Sequence, residues 1–167
     1  MECAARFPNK IKSLSLMGGA GAITVHPELL NLAEKGDVKA VDLMMDWAHG
    51  PAGHFGGHSV PGLHHINIGG TIIHNGSVKD ALGIDFRACD NYKNGFEAAK
   101  KVKCPTINIL GNEDRMCPVK EGKKLADFIT GSQVEIIPNC GHMILLEEAD
   151  QALAILKKFL TTNHPIN

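Results

Sequence analysis

The chain has 167 residues, of which 44% are apolar, 21% charged and 5% aromatic, and its formal net charge is −1. This length predicts one domain with a sizeable core. The scattered and nearly balanced charges argue against binding to nucleic acid or to an anionic membrane, and no run approaches the ~18 apolar residues of a membrane span.

The cysteines indicate a reducing environment. They are odd in number, widely spaced and never arranged as Cys-x-x-Cys, which argues against a disulfide framework and against a thiolate zinc site. The five are Cys3, Cys89, Cys104, Cys117 and Cys140. The first residues show neither the basic leader nor the apolar stretch of a signal peptide. We therefore expect a cytoplasmic protein.

The first predicted element is a buried strand. The mostly apolar run over residues 11–17 is stopped by Gly18-Gly19-Ala20-Gly21, which is typical of a strand that ends in a tight turn.

The segment 22–100 carries helix signals without strand signals. A first helix is predicted to start with Pro27 in its first turn and to end at Gly36, and a second is predicted to follow at once from an Asp37 cap. A further helix is predicted to start from a cap at Asp90.

Within that segment, residues 47–78 contain no Asp, Glu, Lys or Arg. Their composition predicts a loop with short helical turns. Six of the nine histidines fall there: His49, His54, His58, His64, His65 and His74. Imidazole is a common ligand for zinc, copper and nickel, but the irregular spacing and the absence of carboxylates favour a solvated or ligand-lining loop.

The rest of the chain is predicted to form a strand, a helix, a second strand and a closing helix. The two strands cover residues 106–110 and 134–137, and the two helices cover 119–129 and 147–160. This order is that of a parallel sheet with crossover helices.

Polar residues follow both of these strands. Gly111-Asn112-Glu113-Asp114 comes after the first, and Pro138-Asn139-Cys140-Gly141-His142 after the second. Open α/β folds place their ligands at the carboxyl edge of the sheet, and consecutive parallel strands are commonly neighbours. An acid and a histidine can therefore come within hydrogen-bond reach, which would supply two of the three members of a catalytic triad.

With Gly111-x-x-Asp114, Pro118 beyond it, and Gly141-His142 before a final amphipathic helix, the sequence resembles the α/β-hydrolase family. The family order of nucleophile, acid and histidine implies that Asp114 is the acid and His142 the base. In these roles a buried carboxylate fixes the imidazole tautomer, and the imidazole takes the proton of a serine or activates a water. Glu113 is the alternative acid.

The resemblance implies a partial α/β-hydrolase fold with a three-stranded parallel sheet, flanking helices and a mostly helical cap. Residues 1–21 and 101–167 would form the partial core, and residues 22–100 the cap, with the His- and Gly-rich loop 47–78 inside it. The resemblance covers only the C-terminal half of the family's fold.

The nucleophile of the family is missing from the sequence. The family carries a serine on a Gly-x-Ser-x-Gly turn upstream of the region matched here. The only imitation is Gly57-His58-Ser59-Val60-Pro61-Gly62, in which Pro61 replaces the second glycine and no strand precedes Ser59. We expect a truncated or split hydrolase that is inactive alone, with the first strand open to a missing N-terminal half or to self-association.

Other motifs have ordinary explanations. Gly18 to Gly21 lacks the third glycine of a dinucleotide-binding turn, since Thr24 stands there. Cys140 is expected to be a buried, inert thiol rather than a tuned thiolate. We expect no cofactor and no metal.

The complete enzyme is expected to cleave an ester, a lactone or a carbon–carbon bond next to a carbonyl in a small molecule, as the family resemblance implies. The alternative from another class is a noncatalytic module in which the His-rich segment binds a metal or a small ligand.

Overall fold

A parallel sheet forms the centre of the chain, and the computed structural model describes residues 1–55, 65–76 and 80–165. Within those ranges, three strands lie in the order β1 (Leu14–Met17), β2 (Thr106–Gly111) and β3 (Gln133–Ile137). Leu14 lies opposite Thr106, and Ile107 opposite Gln133. All of β2 is buried, as expected for a parallel strand with a neighbour on each side and helices on both faces. The predicted parallel sheet is confirmed.

Helices cover both faces of the sheet, which puts alternate residues of β2 into different cores. On one face α1 (Glu2–Arg6), α7 (Gly95–Ala99) and α8 (Val119–Asp127) surround an apolar cluster. That cluster contains Ala4, Ala99, Val102, Leu125 and Ile129.

On the other face lie α9 (Ile144–Glu147) and α10 (Ala149–Asn163). Their cluster contains Ile107, Ile109, Ile137, Ile144, Ala152 and Phe159. Each large side chain in these clusters contributes roughly 1.5–3 kcal/mol through burial.

The segment between β1 and α7 is helical and has its own apolar cluster. It contains α2 (Pro27–Glu34), α3 (Lys39–Ala48), α4 (Pro51–His54), α5 (His65–Gly76) and α6 (Ala81–Asn91). The buried members of the cluster are Val25, Leu29, Ala33, Ala40 and Phe86. None of the helices within the described ranges is long and apolar enough to cross a bilayer.

The predicted turn between the first two helices of this segment is present. Gly36 follows α2 with φ +66°, a value that glycine adopts without strain. The Asp37 carboxylate accepts a hydrogen bond from the Lys39 N–H at 3.0 Å, so the predicted cap satisfies an amide at the start of α3.

The prediction of a loop with short turns over residues 47–78 is wrong for α5, which has 12 residues. Glycine-rich sequence disfavours a helix, but here it permits close packing on α3. A Cβ on Gly69 would lie 2.6 Å from Met45 Cε, and one on Gly70 would lie 3.6 Å from Val41 Cγ1. Tertiary packing therefore overrides the local propensity.

The predicted cap at Asp90 is also wrong, because Asp90 lies in the last turn of α6. Its Oδ1 accepts a hydrogen bond from Val25 N at 3.2 Å. Asp90 therefore accepts from the amide of a residue 65 positions away in the sequence and does not cap a nearby helix.

Candidate active site

The loops that follow β2 and β3 meet at the carboxyl edge of the sheet. Asn112 N donates to Ile137 O at 3.0 Å, and Glu113 N donates to Cys140 O at 2.9 Å. These bonds join the two loops directly, so the acid and the histidine that follow the strands are held at one place.

Asp114 and His142 form a hydrogen bond, with Asp114 Oδ2 2.8 Å from His142 Nδ1. The Asp114 side chain is fully buried, whereas that of His142 is 30% exposed. The other carboxylate oxygen, Oδ1, accepts from Met116 N at 2.8 Å and from Cys117 N at 2.7 Å. Two backbone amides therefore orient the carboxylate through Oδ1, which leaves Oδ2 directed at the imidazole.

The hydrogen bond determines which imidazole nitrogen carries the proton. A carboxylate accepts and does not donate, so Nδ1 of His142 bears the hydrogen and Nε2 keeps its lone pair. Across the described part of the chain, no other residue hydrogen-bonds to the His142 ring. Because the His142 side chain is partly exposed, a neutral ring in this tautomer can accept a proton from a bound group at Nε2.

Gly18, directly after β1, makes room for this pair. Its φ is +60°, and a Cβ on it would lie 2.8 Å from both Cε1 and Nδ1 of His142 and 3.3 Å from Asp114 Oδ2. Its N–H donates to Ile109 O at 2.9 Å, which continues the pairing of β1 with β2. The sequence predicted Gly18 only as part of a turn, because Asp114 and His142, which it contacts, lie far along the chain.

The dinucleotide alternative for Gly18 to Gly21 gains no support from the fold. A phosphate-binding turn leads straight into the N-terminus of a helix, but α2 begins only at Pro27.

Glu113, the alternative acid, points elsewhere than His142. It lines a cavity of about 340 Å³ together with Asp46, His49, Pro51, His54, Phe55 and Arg115. Asp46 Oδ2 lies 3.4 Å from Arg115 Nη1 there. The His142 imidazole is thus hydrogen-bonded to Asp114 and not to Glu113.

The two histidines of the 47–78 segment whose side chains are described line the same cavity, but their rings bond to different backbone carbonyls. His49 Nδ1 lies 2.9 Å from Met45 O, and His54 Nε2 lies 3.2 Å from Asp46 O. His58, Ser59 and His64 lie outside the described residues, as do the side chains of His65 and His74. Among the side chains that are described, no three potential metal ligands come together.

Two buried cysteines adjoin the pair. Burial, followed by the charge of Asp114, raises the pKa of Cys117 to about 12. Burial, followed by the charge of Glu147, raises the pKa of Cys140 to about 12. Both thiols are therefore protonated near neutral pH, which leaves them without nucleophilic character.

Comparison with known proteins relates this arrangement to hydrolases, although no family model matches the chain. A segment of 63 residues is 38% identical to a proline iminopeptidase of Lactobacillus acidophilus and covers 38% of this chain and 21% of that protein. A thermophilic esterase superposes with a TM-score of 0.78 at 28% identity, covering 95% of this chain and 60% of the esterase. The enol-lactonase of Burkholderia xenovorans LB400 superposes with a TM-score of 0.75 at 20% identity, covering 95% of this chain and 60% of the enol-lactonase.

The parallel sheet, the polar loops at its carboxyl edge and these likenesses define an α/β-hydrolase fold. The chain matches the C-terminal part of that fold, and it spans about three fifths of the length of these solved structures. The expected resemblance is confirmed at the level of the fold.

Proposed function

We propose that Asp114 and His142 are the acid and the base of a Ser–His–Asp triad in a hydrolase of small molecules. The observation that carries the proposal is the 2.8 Å hydrogen bond between a fully buried carboxylate and a partly exposed imidazole. Its position at the carboxyl ends of neighbouring parallel strands is where this fold places catalytic groups.

In the proposed reaction, His142 Nε2 takes the proton of a serine hydroxyl while the serine oxygen attacks the substrate carbonyl. Asp114 stabilises the imidazolium that forms, and the imidazolium then gives its proton to the leaving group. A water molecule, deprotonated by the same imidazole, then attacks the acyl carbonyl, and the imidazolium returns that proton to the serine oxygen as the acyl group leaves. The backbone bonds to Asp114 Oδ1 keep the carboxylate aimed at Nδ1 through both steps.

We place the nucleophile in a part of the protein outside these 167 residues. The Ser59 motif has a proline in place of a required glycine. In addition, the edge of β1 that faces away from β2 pairs with no strand of the described residues. A strand that carries the nucleophile would fit beside that edge, and the similar solved structures are longer than this chain.

The helical segment 22–100 is proposed as the cap over the site, with residues 1–21 and 101–167 as the partial core. The separate apolar cluster of residues 25–89 supports the cap, whereas α7 at the end of this segment packs in the cluster on the sheet. The charge-free stretch 47–78 suits a mildly polar substrate, and we propose an ester, a lactone or a carbon–carbon bond next to a carbonyl as the bond cleaved. All five cysteines are unpaired, which supports a reducing compartment such as the cytoplasm.

The first test measures hydrolysis of an activated ester by the 167-residue chain, its His142→Ala variant and its Asp114→Asn variant. We expect no turnover above that of the variants, because the chain lacks a nucleophile. Robust turnover that disappears in His142→Ala would contradict the placement of the nucleophile outside these residues.

The second test is the sequence of the gene directly upstream of Met1. We expect an in-frame Gly-x-Ser-x-Gly turn, and hydrolysis by the joined protein. In that protein Asp114→Asn should lower kcat by about 10⁴-fold, the size of effect seen when a triad acid loses its charge. Activity that survives both Asp114→Asn and His142→Ala would overturn the proposed roles.

A further inference from the structure

Glu147, the last residue of α9, has a buried carboxylate with three backbone partners. The residue is 8% exposed. Its Oε2 accepts from Gly50 N at 2.8 Å and from Gly141 N at 3.0 Å, and its Oε1 accepts from Met143 N at 3.1 Å. A buried charge is costly unless it is hydrogen-bonded, and here both oxygens are satisfied by amides.

Two of these donors flank His142. Gly141 and Met143 are its neighbours on either side, so the Glu147 carboxylate holds the peptide groups before and after the imidazole-bearing residue. The remaining amide of this stretch, that of His142 itself, donates to Ala48 O at 2.8 Å, and Met143 N shares its hydrogen with the same oxygen at 3.1 Å. Every N–H from Gly141 to Met143 therefore has a fixed acceptor.

The third donor, Gly50, ties the same carboxylate to the helical segment. Gly50 lies between α3 and α4, two residues after Ala48. A Cβ on Gly50 would lie 3.1 Å from Glu147 Oε2 and 3.1 Å from Gly141 N, and one on Gly141 would lie 2.8 Å from Glu147 Oε1. The backbones meet directly around the carboxylate because glycine occupies both positions.

We infer that Glu147 is a positioning residue, which fixes the backbone of His142 and fastens it to the end of α3. The inference rests on the proposed function of His142 as the base. The consequence is that the helical segment and the base are held in one arrangement, so that a shift of α3 relative to the sheet moves the imidazole with it.

The isosteric variant Glu147→Gln tests this role. An amide has one oxygen, so its NH₂ group must face at least one of the three N–H donors. The variant keeps the shape of the side chain and loses either the Met143 bond or the two glycine bonds. The matched control is Glu148→Gln, because the adjacent Glu148 carboxylate accepts, among the described residues, from the exposed Gln151 side chain and from no backbone amide.

The first readout is the imidazole of His142, observed by NMR in chain labelled with ¹⁵N-histidine. A His142 proton held on Nδ1 by Asp114 gives a slowly exchanging ring N–H signal and distinct shifts for the two nitrogens. We expect this signature to be lost or averaged in Glu147→Gln and retained in Glu148→Gln. Asp114→Asn, which should also lose it, identifies the signal.

The second readout is amide hydrogen exchange by mass spectrometry, which works even where chains associate. We expect peptides covering residues 48–52 and 139–145 to exchange roughly tenfold faster or more in Glu147→Gln, as loss of hydrogen bonds to a charged group implies. An unchanged imidazole signature together with unchanged exchange at both peptides in folded Glu147→Gln would overturn the inference.

If Glu147→Gln does not fold, Gly50 provides a second test. Gly50 has φ −70°, which suits proline, so Gly50→Pro removes the N–H that donates to Glu147. Gly50→Ala adds the same Cβ and keeps the N–H. We expect the imidazole signature to change more in Gly50→Pro than in Gly50→Ala, and equal signatures would contradict the coupling to α3.

These outcomes are separable from those for the proposed function. An imidazole signature that depends on Glu147 in a protein whose hydrolysis does not need His142 would remove the catalytic role alone. Hydrolysis that needs His142 but is indifferent to Glu147→Gln would remove the positioning role alone.

Discussion

Gly18 has to be a glycine for two separate reasons, its backbone conformation and the imidazole beside it. Its φ of +60° disfavours other residues, and a Cβ would overlap the His142 ring. Gly36 has a similar φ of +66° but no atom within 4 Å of the Cβ position. A substitution at Gly36 therefore tests backbone strain alone, whereas one at Gly18 tests strain together with a steric clash.

We predict that Gly36→Ala lowers the free energy of unfolding by about 1–2 kcal/mol, the cost of left-handed backbone. Gly18→Ala should cost roughly 1–3 kcal/mol more, because the methyl group forces the imidazole to move. Denaturant unfolding measures both effects, and the His142 ring N–H signal should be lost only in Gly18→Ala. Equal destabilisation with the signal intact would show that the imidazole has room.

At this scale the sequence predicted that Asp114 and His142 lie together, and it missed the residues that support this pair. Asp114 and His142 follow strands in a pattern that local sequence displays. Gly18 and Glu147 act through residues distant in the chain, and nothing in their own neighbourhoods indicates a partner. The sequence predicts a closing helix that starts at residue 147, whereas Glu147 ends α9 and its carboxylate accepts from three amides.

Among the helices, α1 is joined to the segment before α7 by the carboxylate of Glu2, in addition to the burial of Ala4. Glu2 Oε1 accepts from Tyr92 Oη at 2.6 Å and from Asn94 Nδ2 at 3.2 Å, and Oε2 accepts from Arg6 Nε at 2.9 Å. The Tyr92 hydrogen bond, followed by those from Asn94 and Arg6, lowers the pKa of Glu2 to about 2. Burial, followed by the bond to Glu2, raises the pKa of Tyr92 to about 12.

The lowered pKa of Glu2 predicts a pH-dependent contribution to stability. Because the folded-state pKa lies below the unfolded value of about 4.3, the stabilisation is complete above that value and is lost as the pH falls towards 2. Wild type should melt at a higher temperature than Glu2→Gln at pH 6, and the gap should narrow below about pH 4.

The control for this prediction is Glu97→Gln. The pKa of Glu97 is also lowered, by its hydrogen bond to Lys100, but that pair is exposed and local to one short segment. Exposed pairs contribute little, so Glu97→Gln should show a smaller gap at pH 6. A Glu2→Gln gap that is constant from pH 6 to pH 3 would contradict the role of the ionised carboxylate.

The strands were easier to predict than the helices. Each strand contains apolar residues and is bounded by a turn. Burial enforces that pattern throughout β2, whereas only Ile137 of β3 is buried. The 12-residue α5 depends on contact with α3, and α6 includes the Asp90 that looked like a cap for a later helix. In both cases a partner elsewhere in the chain decides the structure, which local periodicity does not record.

For the molecule as a whole, we expect the edge of β1 that faces away from β2 to determine whether chains associate in solution. Leu14 N donates to Pro105 O and Gly18 N donates to Ile109 O, so the alternate amides of β1, including that of Ser15, point away from β2. An edge of this kind is a template for another strand. This edge can therefore pair with a further strand, and for the 167-residue chain alone we expect that strand to come from a second copy.

We predict that the 167-residue chain associates and binds hydrophobic dye, and that Ser15→Pro reduces both effects. Proline removes an outward N–H and leaves the bonds between β1 and β2 in place. Ser15→Ala, which keeps the N–H, should behave as wild type. Light scattering after size exclusion measures the mass. A monomeric, cooperatively melting wild type that binds no dye would show that the edge is protected.

The order of the strands along the chain has a consequence for synthesis on the ribosome. Residues 18–105 separate β1 from β2, whereas residues 112–132 separate β2 from β3. At ordinary elongation rates, the ribosome needs about 5–20 s to make the intervening segment. During that interval the edge of β1 that will pair with β2 has emerged without its partner strand, so we expect this edge to be accessible to a chaperone. After release, pairing of β2 with β3 across the shorter crossover should precede docking of β1.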